Sequence, residues 1–264
     1  MSESRIAGAQ TDSTYPSEHL LYDKASRRKK AEKIVAMLRE HLGMDLSDRV
    51  CLDVGCASGL ITREIAQHMG YTVGLEYNQE AIALMAQEQA TPSLTLIRGD
   101  AMALPIADES IDIVICAQVY EHVPDDKQMV REIWRVLRPG GVVFFSGPNR
   151  LDPIERHYGL PFVSWLPRPW ADAFIRRMDK GDAYKEHPRT LWGLRRLWHQ
   201  FEIRDYTLTL LKEPERFGVD DVTNGIAWIS SLPHWALRML YPLIINYNWI
   251  LTKPTGHLSI GAQP

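Results

Sequence analysis

Chemistry concentrates in a short loop, Asp53, Val54, Gly55, Cys56, Ala57, Ser58 and Gly59, which grows out of the apolar run VCLDV (50–54). Gly55 and Gly59 tolerate positive φ and let a ligand approach bare backbone, while the amides at the start of a following helix favour a negative group. A phosphate or a carboxylate suits that loop equally. Two acidic partners narrow the choice. Glu76 closes a second strand about twenty residues further on, the position from which a carboxylate reaches the two hydroxyls of a ribose. Asp100 follows a third strand and suits an exocyclic adenine amino group, with the Ala101 amide available to a ring nitrogen. Together these residues describe an adenosine pocket.

A dinucleotide site needs the spacing G-x-G-x-x-G, and the run Gly55-Cys56-Ala57-Ser58-Gly59-Leu60 lacks its second and third glycines. A nicotinamide-dependent dehydrogenase is therefore the weaker alternative. A strand-to-helix turn with incidental carboxylates is the remaining one. Glu121 and His122 are candidate proton acceptors, expected to open the helix after a fourth strand, and His122 has the better intrinsic pKa. Capping of the neighbouring loop is the competing role for the pair. His157, Tyr158 and His187 lie further along and are candidates to touch an acceptor. The nine histidines show neither an HExxH nor a cysteine-pair spacing, so no metal site is expected.

These residues need a scaffold, and from residue 48 the chain supplies one. Apolar runs at 50–54, 72–75, 94–97, 111–116 and 142–145 alternate with helical patterns marked by Ile61, Ile65 and Met69, by Ile82, Met85 and Gln89, and by Met129, Ile133, Trp134 and Leu137. Pro139, Gly140 and Gly141 stop the last of these. The alternation predicts a doubly wound, mostly parallel sheet with right-handed crossovers, whose ligands sit beyond the carboxyl ends of the strands. Ala31, Ile34, Val35, Leu38 and Leu42 predict a helix before it. Residues 146–189, rich in Pro, Arg, Trp and Tyr, read as an insertion. A helix over Thr190–His199, a strand over 201–210 and a partner strand at 257–261 follow.

The division expected is a single domain over 1–264: an N-terminal arm and helix (1–47), a cofactor core (48–146), an inserted substrate cap (147–189) and a C-terminal part (190–264) with a hydrophobic insertion at 212–252. The 264 residues, 45% hydrophobic, can fill one such core. A net charge of −3 gives no attraction to nucleic acid. The polar start MSESRIAGAQTDSTYPSEH lacks a secretory apolar region, so a cytoplasmic location is expected. Cys51, Cys56 and Cys116 fall in or beside apolar runs and read as buried thiols. Six arginines interleaved with Trp and Tyr in the insertion suit a phosphorylated, acidic or sugar-bearing acceptor. In 222–252 Arg238 is the only formal charge, and Pro233 and Pro242 break the run into pieces too short to span a bilayer. It either walls an apolar acceptor pocket or makes peripheral contact with a membrane.

Over residues 48–147 the chain resembles the class I S-adenosylmethionine-dependent methyltransferases, in particular the methyltransferase type 11 group. The likeness is carried by VCLDVGCASG, GLEYN, RGDAMALPIADESIDIVICAQVYEHV and LRPGGVVFFSGPN. Ala57 stands where that family usually has Gly. The resemblance implies a Rossmann-like fold and S-adenosyl-L-methionine as cofactor. Its methionine end would lie on Asp53, Gly55, Cys56, Ala57 and Gly59, its ribose on Glu76, its adenine on Asp100 and Ala101, and its sulfonium beside Gln118. The expected reaction is in-line methyl transfer to a small or lipid-like molecule. The rival from another class is a protein that holds the cofactor as a sensor or scaffold.

Overall fold

A computed structural model describes residues 24–86, 91–218 and 232–256. Its frame is a seven-stranded sheet: β1 (Val50–Val54), β2 (Tyr71–Glu76), β3 (Leu94–Arg98), β4 (Ile111–Ala117), β5 (Leu137–Pro148), β8 (Glu202–Asp205) and β9 (Asn246–Thr252). Strand order is β3-β2-β1-β4-β5-β9-β8, with β1 to β5 mutually parallel and β9 antiparallel to both neighbours. Helices α1 (Lys24–Leu42), α2 (Leu60–Ala66), α3 (Gln79–Ala86) and α4 (Asp126–Val136) fall in or before the parallel half, and α6 (Leu191–Leu197) and α7 (Thr207–Lys212) flank β8. The fold is the Rossmann-like, doubly wound α/β sheet that the alternation predicts.

Both faces of the sheet are covered, which is why its central strands read as nearly unbroken apolar runs. Successive residues alternate between two cores. Val114, Cys116, Val143, Phe145, Trp249 and Leu251 pack with Met129 and Ile133 of α4 and Leu194 of α6. Ile113, Ile115, Val142, Phe144 and Ile250 pack with Ile34, Val35 and Leu38 of α1, Ile65 of α2 and Leu210 of α7. The helical spacing of the α1 residues gives that helix its buried stripe. Cys51, Cys56 and Cys116 are buried and form no disulfide.

Three expectations are corrected here. The strand predicted over 201–210 ends at Asp205, because the Asp205 carboxylate accepts the Thr207 amide at 2.9 Å and turns the chain into α7. Residues 246–252, read as part of an apolar insertion, are an inner strand of the sheet, buried almost throughout although Asn246 and Asn248 interrupt its apolar residues. β5 begins at Leu137, five residues earlier than predicted, with Gly140 at φ 78° accommodating the irregular pairing around Ile111 and Ile113. The partner strand expected at 257–261 and residues 222–231 lie outside the described residues.

The segment between β5 and α6 builds a small core of its own. A short hairpin, β6 (Ile154–Glu155) with β7 (Leu160–Pro161), and helix α5 (Arg168–Arg177) enclose Tyr158, Leu160, Val163, Ala171, Ile175 and Tyr184. Helix α8 (His234–Leu240) precedes β9. Among the described residues no helix is long and apolar enough to cross a membrane.

Candidate active site

Strand order reverses between β1 and β4, so a crevice opens beyond their carboxyl ends. In the loop after β1, Gly55, Ala57 and Gly59 adopt φ of 70°, 48° and 69°. A side chain at residue 55 would place Cβ 2.8 Å from Val119 Cγ2, so the loops after β1 and β4 approach each other only because Gly55 has none. Gly59 precedes α2 without a side-chain cap. Asp53, 5% exposed, accepts from Thr62 Oγ1 at 2.6 Å. Burial pushes its carboxyl up to about 7, opposed by the Thr62 bond and reinforced by the Glu76 charge. Glu76 closes β2 and anchors the loop: Oε2 accepts the Ala57 amide at 2.8 Å and Oε1 the Asn78 amide at 2.9 Å. Asp100 Oδ1 accepts the Met102 amide at 2.8 Å beside buried Ala101. Gln118, at φ 60°, donates its amide to Ser146 O and its Nε2 to Asn246 Oδ1, both at 2.8 Å.

Glu121 and His122 do not open a helix. They occupy the turn between β4 and α4, because Asp125 caps α4 by accepting the Gln128 amide and the helix starts only at Asp126. The inserted segment folds back onto this turn. His187 donates its amide to Glu121 O at 2.8 Å, Arg189 makes a bidentate pair with Asp126, and the Tyr120 hydroxyl donates to Pro148 O while accepting the Arg189 amide at 3.0 Å. The predicted acceptor-side residue His157 thereby meets His122, ring edge to ring face, with centroids 4.8 Å apart. Tyr158 is buried in the small core and donates to Ala183 O, and the His187 ring lies against Arg168.

This junction is rich in carboxylates. His122 Nε2 is 3.8 Å from Glu121 Oε1, and Nδ1 is 4.0 Å from Glu186 Oε1. His157 Nδ1 bonds Glu155 Oε1 at 2.9 Å. Burial pushes the Glu121 carboxyl up to about 8, and the Glu186 and Glu155 charges add to the rise while His157 opposes it. Burial and then the His157 charge hold His122 down to about 4, so its imidazole is uncharged at neutral pH. Burial also works against charge on His157, but the Glu155 bond and the surrounding carboxylates outweigh it and raise that pKa.

Residues 52–145, from the middle of β1 to the middle of β5, match the family model described as a methyltransferase domain. Over these residues the chain matches the type 11 methyltransferase family. A probable S-adenosylmethionine-dependent methyltransferase of Mycolicibacterium smegmatis is 36% identical over 112 residues, 42% of this chain and 43% of that one. A ubiquinone biosynthesis O-methyltransferase of Pseudomonas fluorescens is 30% identical over 139 residues, 50% of this chain and 59% of the relative. The chain thus spans about half the length of the curated relatives it matches. The crystal structure of an S-adenosylmethionine-dependent methyltransferase from Mesorhizobium loti shares the fold, with a TM-score of 0.54 at 16% identity over 79% of this chain and 93% of that one.

The donor set of the methyltransferase domain fits S-adenosylmethionine. Each Glu76 oxygen holds one backbone amide and keeps acceptor capacity for a ribose hydroxyl, and Asp100 likewise accepts one amide through one oxygen. The departure at Ala57 is explained by its backbone: a positive φ at this position is why glycine is usual, and the Glu76 bond to the Ala57 amide holds the alanine there. Sequence reading missed Asn246, which grips Gln118 from a strand read as an apolar insertion. It also missed Glu155 and Glu186, since no spacing rule links them to residues 121 and 122. The proximity of an acidic pair to a second histidine was the only available signal.

Proposed function

We propose that this chain binds S-adenosylmethionine in the β1/β4 crevice and transfers its methyl group by in-line displacement to a small, lipid-like acceptor beneath the inserted segment. The observation that carries the reading is that Glu76 and Asp100, at the ends of consecutive parallel strands, stand in register with the glycine-bearing loop within the matched residues. S-adenosylmethionine, when bound, supplies an electrophilic methyl on a sulfonium. The residues of the chain hold and align: Glu76 takes the ribose, Asp100 and the Ala101 amide the adenine, and the Asp53–Gly59 loop the methionine end. Gln118, fixed by Asn246, borders the sulfonium position. His122 faces the acceptor side with an uncharged imidazole, able to take a proton from a hydroxyl or to hold a Lewis acid.

A lipid-like, hydroxyl-bearing acceptor is favoured by the exposed apolar side chains of the inserted segment and α8 and by the names of the ubiquinone biosynthesis relatives. Phe162 and Trp165 stack together and remain half-exposed on the inserted segment, and Trp235 and Met239 stand out from α8. The same exposed side chains support peripheral contact with a membrane.

Calorimetric titration is expected to show S-adenosylmethionine binding that Glu76→Ala weakens at least about tenfold, the range expected for losing hydrogen bonds to a charged group. Tritiated-methyl transfer to fractionated cell extract should then label the lipid fraction. No binding by the wild-type protein would sink the reading. Binding without label in any fraction would favour the sensor or scaffold alternative.

A further inference from the structure

The turn after β4 and the β6–β7 hairpin bring together three donors that methyl transfer alone does not explain. Glu121 is wholly enclosed, yet neither of its carboxylate oxygens has a hydrogen-bond partner. Buried polar atoms are satisfied in native structures almost without exception, so such a carboxylate points to a missing partner. His122 Nε2 stands 3.8 Å from Glu121 Oε1, too far for a hydrogen bond but near the spacing of two ligands on one cation. His157 completes the set, and one donor atom from each of the three residues lies within 4.8 Å of the others.

The surroundings favour a cation as well. Glu155 holds Nδ1 of His157, which leaves Nε2 of that ring for coordination, and Glu186 lies 4.0 Å from Nδ1 of His122. An outer carboxylate on the far nitrogen is how metal-binding histidines are fixed in tautomer and orientation. We propose that Glu121, His122 and His157 form a binding site for a divalent first-row transition cation at the junction of turn and hairpin.

Two imidazoles and one carboxylate suit zinc-like ions over magnesium or calcium, which prefer all-oxygen shells. Bond lengths of about 2.1 Å are reached if each donor moves by less than about 1 Å. Three protein ligands leave a position open for water or an acceptor oxygen. With the ion present the His122 lone pair is committed to it, so His122 is a ligand and not a base. No spacing in the sequence announces the site, because its third ligand comes from the inserted segment. The inference stands apart from the methyltransferase reading, since it concerns binding in the absence of S-adenosylmethionine.

The test is titration of chelator-treated, full-length protein with cobalt(II), without S-adenosylmethionine. One equivalent is expected to bind with visible d–d bands of a low-coordinate nitrogen and oxygen site, and zinc is expected to displace it. Glu121→Gln and His157→Gln should each weaken binding about 100-fold, and Glu155→Gln about tenfold with shifted bands. His199→Gln, whose ring sits on Arg196 O at the surface, should change nothing. Because Glu121→Gln replaces an enclosed carboxyl group that has no hydrogen-bond partner by a near-isosteric neutral one, its metal-free Tm should hold or rise while the metal-dependent rise in Tm disappears. That variant keeps the test decisive if His157→Gln does not fold. Wild-type protein without d–d bands, or bands that survive both substitutions, would overturn the site and leave the cofactor reading untouched.

Discussion

Asp53 is a carboxylate placed where water cannot reach it, and its titration is coupled to folding. Below about pH 4 it is protonated in both the native and the unfolded chain. Between about 4 and its native value of about 7 the unfolded chain has released the proton and the native protein keeps it. The native state then binds more protons, so this residue makes stability fall as pH rises through that window and level off above it. Asp53→Asn is expected to flatten the fall between about pH 5 and about pH 8 in urea-unfolding midpoints. Equal slopes for the variant and the wild type would refute this. The sequence marks Asp53, Glu76 and Asp100 because each lies at or just beyond the carboxyl end of a strand, where position alone implies a ligand. It does not show that Glu76 also holds the Ala57 amide, a bond that depends on the backbone turning to positive φ.

At the scale of elements, Tyr120 joins three pieces of chain. Its hydroxyl bridges Pro148, at the end of β5, and the Arg189 amide, just before α6, while its ring packs on Phe145. It is fully buried, so Tyr120→Phe leaves a carbonyl and an amide without their partner. A loss of about 1–3 kcal/mol is expected from chemical denaturation, with faster proteolytic cleavage in 150–188 than elsewhere. An unchanged denaturation midpoint would show that water replaces the hydroxyl. The parallel half of the sheet was legible because each βα unit carries its own periodicity and its own stop signal. Residues 201–210 misled because alternation continued past Asp205, where one side-chain bond to the Thr207 amide decides for a helix. β9 was illegible for a different reason: its alternation, Asn246-Tyr247-Asn248-Trp249, spans only four residues and gives way to the consecutive apolar pair Ile250-Leu251, buried on opposite faces.

For the whole molecule, β9 links the two cores across the sheet. It contributes Trp249 and Leu251 to one and Ile250 to the other, and it lies between β8 and β5 in the sheet. A chain stopped at Ile245 is therefore expected to lose cooperative unfolding altogether, although all of the matched residues 52–145 remain. A sharp calorimetric transition from that truncation would show that the matched portion folds alone. The matched residues thus include those proposed to meet the cofactor but omit a strand on which their support depends, including the Asn246 that fixes Gln118.

The place of β9 also shapes how this protein is made. During synthesis β5 emerges with its outer edge unpaired, and about a hundred residues separate it from the strand that will cover that edge. Through that interval Val142 to Phe145 present an apolar ladder that any extended segment could extend. The nascent chain therefore has a period of vulnerability to misassembly that the finished fold conceals, and its length is set by how quickly residues 149–245 are translated.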